Sequence, residues 1–304
     1  MLKNDTKKTN SEEKKKKKLD VEKTEINLQF HWYILGFGTS YLISWFFPGL
    51  ILWLYLMFLY IPFFLKANNF ITIFLDIRAL LASIFLPLII ILCYLIHLFF
   101  VALITKYWWK LTEKIRPSKN GIIPRNIPSK TLNLYHIRSF LIKYPKHAFN
   151  KGPFPWLINW LYNFVGTNKI GKGTTLEEQF GADKFIEIGE NSYIGVNSGF
   201  SSHAVDGTFG NVAYFKIRAG DNVTASALNC IAPGVEINDN SYLLPMAGAT
   251  KHSILKGDNY YFGVPLRRAF SRKAAEYLGV TKEELEHVKN QKLKTTKKSK
   301  SYND

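Results

Sequence analysis

Residues 188–200 read IGENSYIGVNSGF, with Ile188, Ile194 and Phe200 six residues apart and Gly189 and Gly195 directly behind the first two. Followed outward, the same spacing picks out Ile170, Leu176 and Ala182 upstream and Ala219, Ala225, Ile231, Ile237, Leu243 and Ala249 downstream. A helix repeats near 3.6 residues and a simple strand at 2, so a sustained six fits neither alone. It fits a parallel β-helix whose flat faces each take one hexapeptide, with three faces closing a coil and coils stacking at strand spacing. A second, smaller inward position recurs four residues after each downstream anchor, as Val223, Asn229, Val235, Ser241 and Ala247. Glycine behind the aliphatic, as at Gly171, Gly189 and Gly195, suits a crowded corner where the chain turns sharply.

The ladder breaks once, between Phe200 and Ala219. Those anchors lie nineteen positions apart, where eighteen would make three faces, so a loop is expected to leave the coil. It reads SSHAVDGTFGN over residues 201–211 and carries His203 and Asp206.

Upstream of the repeat the composition changes. No formally charged residue occurs from Ile26 to Leu65 or from Ala79 to Thr105, and each stretch exceeds the length needed to cross a bilayer. We expect two spans, about His31 to Phe63 and Ile77 to Thr105, each absorbing an internal proline, Pro48 or Pro87, as a kink. The first could also be two short helices hinged at Pro48-Gly49. The net charge of +17 is concentrated in lysine-rich ends, including Lys14 to Lys18 and Lys292 to Lys300. Without an aromatic-interleaved groove or a recognition helix these runs do not indicate nucleic acid; they suit an anionic membrane surface. The basic leader and the segment from Lys106 to Lys110 should both stay cytoplasmic, which requires an even number of spans and puts the repeat domain and both termini inside.

Trp108 and Trp109 fit an interfacial belt, although a buried place suits one of them equally. Asp76 and Arg78 are expected to pair at the opposite interface, and His97 to make a helix contact. From Arg116 to Asn163 the chain is rich in proline and reads as an irregular connector, followed by a short amphipathic helix over about Phe154 to Phe164 that lies on the membrane or caps the first coil. Past the repeat, Thr281 and Glu284 form a capping-box pattern, with helix expected over Ser271 to Ala275 and Lys282 to Lys289. Cys93 and Cys230 have no metal-ligand spacing and no expected disulfide. The expected order is a disordered tail (1–25), a transmembrane region (26–110), a connector (111–165), the repeat domain (166–268) and a C-terminal helix with a basic tail (269–304).

The repeat resembles the hexapeptide-repeat acyltransferases. The residues that carry the likeness are Ile194-Gly195, then Phe200-Ser201-Ser202-His203, then Ile217-Arg218-Ala219-Gly220-Asp221-Asn222-Val223, followed by the turn Ile231-Ala232-Pro233-Gly234-Val235 and the exit Gly263-Val264-Pro265-Leu266-Arg267. The resemblance implies a left-handed parallel β-helix, a homotrimer, and acyl transfer from acetyl-CoA or a similar acyl-CoA. It makes His203 the general base, with Asp206, Glu177 or Glu178 orienting its ring. It places Ala225 and Ser226 along the pantetheine arm of the coenzyme and Lys251, Arg267 and Arg268 on its phosphates. No metal is implied. The zinc-dependent relatives on this fold, the γ-class carbonic anhydrases, need an H-x4-H pair that this sequence lacks. The paired spans, the Lys-Tyr-Trp-Trp exit, the Asn-Trp-Leu-Tyr segment ahead of Val-Gly-Thr and the short β-helix also resemble the membrane-bound terminal region of poly-lysine-synthetase-type nonribosomal peptide synthetases. That likeness implies a carrier-bound thioester, and so a carrier protein, as an alternative donor. A non-enzymatic trimeric scaffold at the membrane is the competing class.

Overall fold

The computed structural model describes residues 30–65, 69–177, 184–207, 210–269, 281 and 283. Helix α1 (Phe30–Tyr55) runs on through a π-helical turn at Leu56–Tyr60 and a last turn at Ile61–Leu65; after the short α2 (Phe70–Leu75) comes α3 (Ile77–Ile115). Two helices are therefore long and apolar enough to cross a membrane, Phe30–Phe64 with 35 residues and Ile77–Ile115 with 39. The first stretch is one helix and is not broken at Pro48. The two helices are stitched together where side chains reach main-chain oxygens: the Tyr55 hydroxyl donates to Ala82 O, and the Cys93 thiol to Pro48 O at 3.4 Å. Asp76 meets Arg78 differently from the expected side-chain pair. Its carboxylate accepts the Arg78 backbone N–H at 2.9 Å and so caps α3, satisfying a donor that has no partner in the first helical turn.

The connector is ordered where an irregular chain was expected. It holds β1 (Gly121–Pro124), α4 (Lys130–Leu141) and α5 (Lys143–Asn150), then a 3-10 turn at Pro155–Leu157 leading into α6 (Ile158–Val165). Two of its prolines begin helices, and among the others Pro124 ends β1. Pro145 sits in the first turn of α5, where a missing N–H costs nothing, and Pro155 opens the 3-10 turn. The amphipathic helix expected near Phe154 to Phe164 is this last element, ended by Gly166 in the left-handed region at φ 84°.

Helices α4 and α5 pack along the sides of α1 and α3. Phe140 meets Tyr33 at 4.7 Å between ring centroids, and Tyr144 meets Phe37 at 5.3 Å. The Tyr144 hydroxyl bonds His97 Nε2 at 3.2 Å, while the His97 ring stacks on Trp45 at 3.9 Å, which makes His97 the helix contact expected. Of the two tryptophans, Trp108 donates to Thr39 Oγ1 at 3.0 Å, and Trp109 is 2% exposed in the main core and has no interfacial place.

The hexapeptide region forms three parallel ladders. The first joins β2 (Lys169–Ile170), β4 (Ile186–Ile188), β9 (Ile217–Ala219), β12 (Glu236–Ile237) and β15 (Ile254–Leu255). The second joins β3 (Thr175–Leu176), β5 (Tyr193–Ile194), β10 (Thr224–Ala225), β13 (Tyr242–Leu243) and β16 (Tyr260–Phe262), with β17 (Arg267–Ala269) added antiparallel. The third joins β6 (Gly199–Phe200), β11 (Cys230–Ile231) and β14 (Gly248–Ala249). Successive strands of the chain thus step from face to face of a three-sided stack. Every described ladder residue is buried, Leu255 and Tyr261 extend the series, and Ala182 lies outside the described residues. The smaller inward positions Val223, Asn229, Val235, Ser241 and Ala247 are buried as well.

The glycines behind the aliphatics serve close stacking, not the turn itself. A Cβ on Gly171 would stand 2.3 Å from the Gly189 backbone, and one on Gly189 would stand 2.6 Å from that of Gly220. The left-handed turn residues are instead Asn191, Asn222 and Asn240, at φ 51°, 56° and 55°. Asparagine tolerates that region better than most residues.

Helix α6 closes the first coil. Asn163 receives the Ile170 N–H and donates to the Ile170 carbonyl, both at 2.9 Å, and so takes the place of the strand neighbour that β2 lacks on this side. Leu161, Tyr162 and Val165 join the same core as Ile170 and Leu176. At the far end the expected helices over 271–275 and 282–289 and the capping box at Glu284 lie outside the described residues.

Candidate active site

The break in the ladder is resolved by strand register. Ile188 pairs with Ala219, Ile194 with Ala225 and Phe200 with Ile231, so the chain from Phe200 to Ala219 advances by one face only. The expectation that this stretch spans three faces is corrected: one face needs six residues, and the rest leaves the coil as an antiparallel hairpin, β7 (His203–Asp206) and β8 (Asn211–Tyr214). The reason lies at one position. In the two later coils the third residue after the third-ladder anchor is a left-handed turn residue, Gly234 at φ 81° and His252 at φ 59°. His203 occupies the equivalent place after Phe200 and is extended, so the corner is not turned and the strand runs outward.

The hairpin is held by the connector. Strand β1 adds to β8 antiparallel, pairing Gly121 with Tyr214 and Pro124 with Asn211. Ile123, Leu132, Tyr135, Val212 and Tyr214 form a small separate core under it, with Phe185 packed against them. The Ser202 hydroxyl donates to Lys184 O, and Ser201 Oγ donates to His203 O at 2.5 Å.

His203 faces Tyr214 across the hairpin and presents its ring to the edge of Tyr135 at 6.0 Å. It is half-buried, and its Nδ1 is buried with no hydrogen-bond partner. Such an atom has lost water without replacement, which is costly unless another group arrives. Nearby on α4, His136 is 9% exposed and its Nε2 has no partner either. Burial, reinforced by the Arg125 guanidinium, pushes the His136 imidazole below its usual range.

The other expected site residues are dispersed. Asp206 is three residues beyond His203 on the same strand, and side chains alternate across a strand, so the two carry their side chains on opposite faces. Glu177 follows β3 at the corner between the second and third faces; in that column its backbone N–H bonds Ile194 O at 2.9 Å, Gly195 lies above it, and Ser226 follows. His203 stands at the other end of the third face. Within one chain the structure therefore does not bring Glu177 and His203 together, and Glu178 lies outside the described residues. Ala225 is fully buried with its carbonyl engaged by Gly195 N at 2.7 Å, which leaves the neighbouring Ser226, 3.3 Å from the Tyr242 hydroxyl, as the accessible member of that pair. Lys251, Arg267 and Arg268 are exposed at the last coils. Among the described residues no group of three or more His, Cys, Asp or Glu side chains is placed to hold a metal ion, and Cys93 and Cys230 are free.

Sequence reasoning missed Tyr135, His136 and the β1 strap, because all three belong to the connector read as irregular. It also missed Lys184. This half-buried lysine pairs with Glu113 at the end of α3, Nζ to Oε1 2.9 Å, and Glu113 is shared with Arg138 of α4 at 3.2 Å. Burial pushes the Lys184 ammonium below its usual value although Glu113 works in the opposite direction.

No family model and no curated relative matches this chain. Among solved structures it overlaps a maltose O-acetyltransferase from Clostridium difficile 630 at 21% identity and a TM-score of 0.31, over 35% of this chain and 59% of that one. It overlaps a hexapeptide-repeat acetyltransferase from Vibrio cholerae O1 biovar eltor, complexed with acetyl coenzyme A, at 23% identity and a TM-score of 0.32, over 36% of this chain and 62% of that one. A mutant of AntD, an N-acyltransferase from Bacillus cereus in complex with dTDP and coenzyme A, overlaps at 17% identity and a TM-score of 0.30, over 43% and 82% of the two chains. The chain thus spans less than two thirds of the length of the first two.

Proposed function

We propose that this chain is a membrane-anchored acyltransferase on a left-handed parallel β-helix, carrying an acyl group from acetyl-CoA or a carrier-bound thioester to a hydroxyl or amine. The observation that carries the reading is His203: a half-buried imidazole at an unturned corner of the stack, strapped in place by β1, with a buried and unpartnered Nδ1. In the step proposed, Nε2 takes the proton of the acceptor as its oxygen or nitrogen attacks the thioester carbonyl. The tetrahedral intermediate then expels the thiolate as the C–S bond breaks, and the imidazolium returns the proton to sulfur. No covalent enzyme intermediate is needed.

Nδ1 requires a partner to fix the ring. The described residues supply none, and Glu177 occupies a different corner of the stack. A closed threefold assembly sets one chain's corner against its neighbour's, so a homotrimer would let a carboxylate from the next copy complete the site. The exposed Lys251, Arg267 and Arg268 would then lie along the same groove for coenzyme phosphates, with Ser226 beside the pantetheine arm.

Helix length supports the anchoring. At 1.5 Å per residue, helices of 35 and 39 residues are much longer than the roughly 30 Å hydrocarbon core requires. Because α4 and α5 cover the half containing Tyr33, Phe37, Trp45 and His97, the bilayer would take the other half, about Phe46 to Phe64 and Ile77 to Tyr94. The basic residues of α5, Lys143, Lys146 and His147, would lie at the cytoplasmic headgroups, with the β-helix and both termini on that side. The test is acyl transfer by the detergent-purified chain against acetyl-CoA and aminoacyl thioesters. Consumption of neither, or full activity in His203→Ala, overturns the reading.

A further inference from the structure

Beside the hairpin lies a cavity of about 410 Å³, within the size range of small-ligand sites, walled by the end of α6, the first two strands of the first ladder and the strand turn leading into β9. Among the described residues its lining holds three lysines, Lys169, Lys184 and Lys216, with Glu187 as the sole carboxylate. Lys169 and Lys216 both reach the same oxygen of Glu187, at 3.5 and 2.8 Å, and Arg218 reaches the other at 3.5 Å. Arg218 also pairs with Glu236 and Lys184 with Glu113, each at 2.9 Å, so the charge in excess at the cavity is that of Lys169 and Lys216, which share the single charge of Glu187. Thr167, 3% exposed, also lines the cavity and its hydroxyl is buried with no partner. A buried hydroxyl beside surplus ammonium groups is a donor set for a multiply charged oxyanion.

We propose that this cavity binds a phosphate group carried by the acceptor substrate, which makes that substrate a phosphorylated alcohol or amine. The inference rests on the acyl-transfer reading for the word acceptor, and on the cavity alone for the word phosphate. Phosphate suits the site better than a carboxylate, since its second charge and third oxygen use Lys169 and Lys216, which share the one charge of Glu187. The location agrees. Lys216 is two residues beyond Tyr214, the cross-strand partner of His203, and Lys184 O holds the hydroxyl of Ser202 next to His203. A phosphate seated here would leave the remainder of the molecule to run toward the hairpin, while the coenzyme phosphates are assigned to the opposite end of the stack.

The test titrates inorganic phosphate into the detergent-purified full chain and follows both the thermal midpoint and calorimetric heat, with chloride at equal ionic strength as the control. Phosphate should bind where chloride does not, and Lys169→Gln/Lys216→Gln should weaken it at least tenfold. Glu187→Gln removes the competing carboxylate and should bind phosphate as well as or better than the parent, which also guards against a variant that loses binding by misfolding. Equal effects of chloride, or affinity unchanged in the double variant, overturn the site. Displacement of phosphate by coenzyme A would assign the cavity to the donor and overturn the acceptor claim. Nanodiscs of phosphatidylcholine with and without phosphatidic acid separate the sources: competition by phosphatidic acid identifies a lipid-borne phosphate, and its lack a soluble one. Phosphate binding without acyl transfer to any phosphorylated acceptor would leave the site standing and remove the enzymatic reading.

Discussion

At the scale of single residues the molecule turns on two histidines whose burial differs in purpose. His203 is half-buried on an extended strand, so His203→Ala should reduce acyl transfer by about 10²- to 10⁴-fold, the usual worth of a general base, while leaving the thermal midpoint close to the parent. Steady-state rates and a melting curve on the same preparation check both halves. His136 is buried and its imidazole is held below the ordinary value of about 6.5, first by burial and then by Arg125. The unfolded chain therefore binds the proton more readily than the folded one. Stability should be undiminished above the ordinary imidazole value and fall as pH drops below it. Melts between neutral and mildly acid pH should show that loss in the parent and a smaller one in His136→Gln. His203 was legible in the sequence because it sits in the single gap of a regular series. His136 was not, since a histidine in a proline-rich connector has no pattern to stand out from.

Between elements, the ends of the long helices are bound to the stack by charge and by strand addition. Glu113, at the end of α3, accepts from Ser118 Oγ at 2.5 Å and pairs with Arg138 of α4 and Lys184 ahead of β4. Arg138 is buried and keeps its bonds to Thr112, Ser118 and Arg116 while Lys184 is half-buried, so Glu113→Gln removes the one charge both face and should cost about 1–3 kcal/mol, read as a lower denaturation midpoint in detergent. Strand β1 depends on Ile123, which is buried against Leu132, Tyr135, Val212 and Tyr214. Ile123→Ala should cost about 2–5 kcal/mol locally, speed hydrogen exchange at the amides of 203–206 and 211–214, and lower the acyl-transfer rate without moving the exchange of the third ladder. The six-residue ladder could be read directly because its inward positions repeat locally. The pairing of β1 with β8 could not, since it joins Gly121–Pro124 to strands some ninety residues later, and a four-residue strand carries no periodicity of its own.

For the whole molecule, the apolar helices and the coil set two different environments on one chain. If α1 and α3 span the bilayer as proposed, the protein should stay in the membrane pellet after alkaline carbonate extraction, and protease should reach the repeat domain only in inside-out vesicles; release into the supernatant would contradict the anchoring. Native mass spectrometry from detergent should show three copies, and a stable monomer with full activity would remove the shared site. What the sequence determined by itself was set by short-range pattern. The face each ladder residue turns inward and the apolar length of two helices follow from the order of side chains along the chain. What only the tertiary structure decided were the relations between distant segments. The nineteen positions from Phe200 to Ala219 advance one face, not three; the connector supplies β1 and α4, which flank the hairpin of His203; and Lys169, Lys184 and Lys216 line one cavity. The physical reason is that strand register and cross-chain hydrogen bonds are fixed by which distant backbones satisfy each other, and residue order alone leaves that choice open.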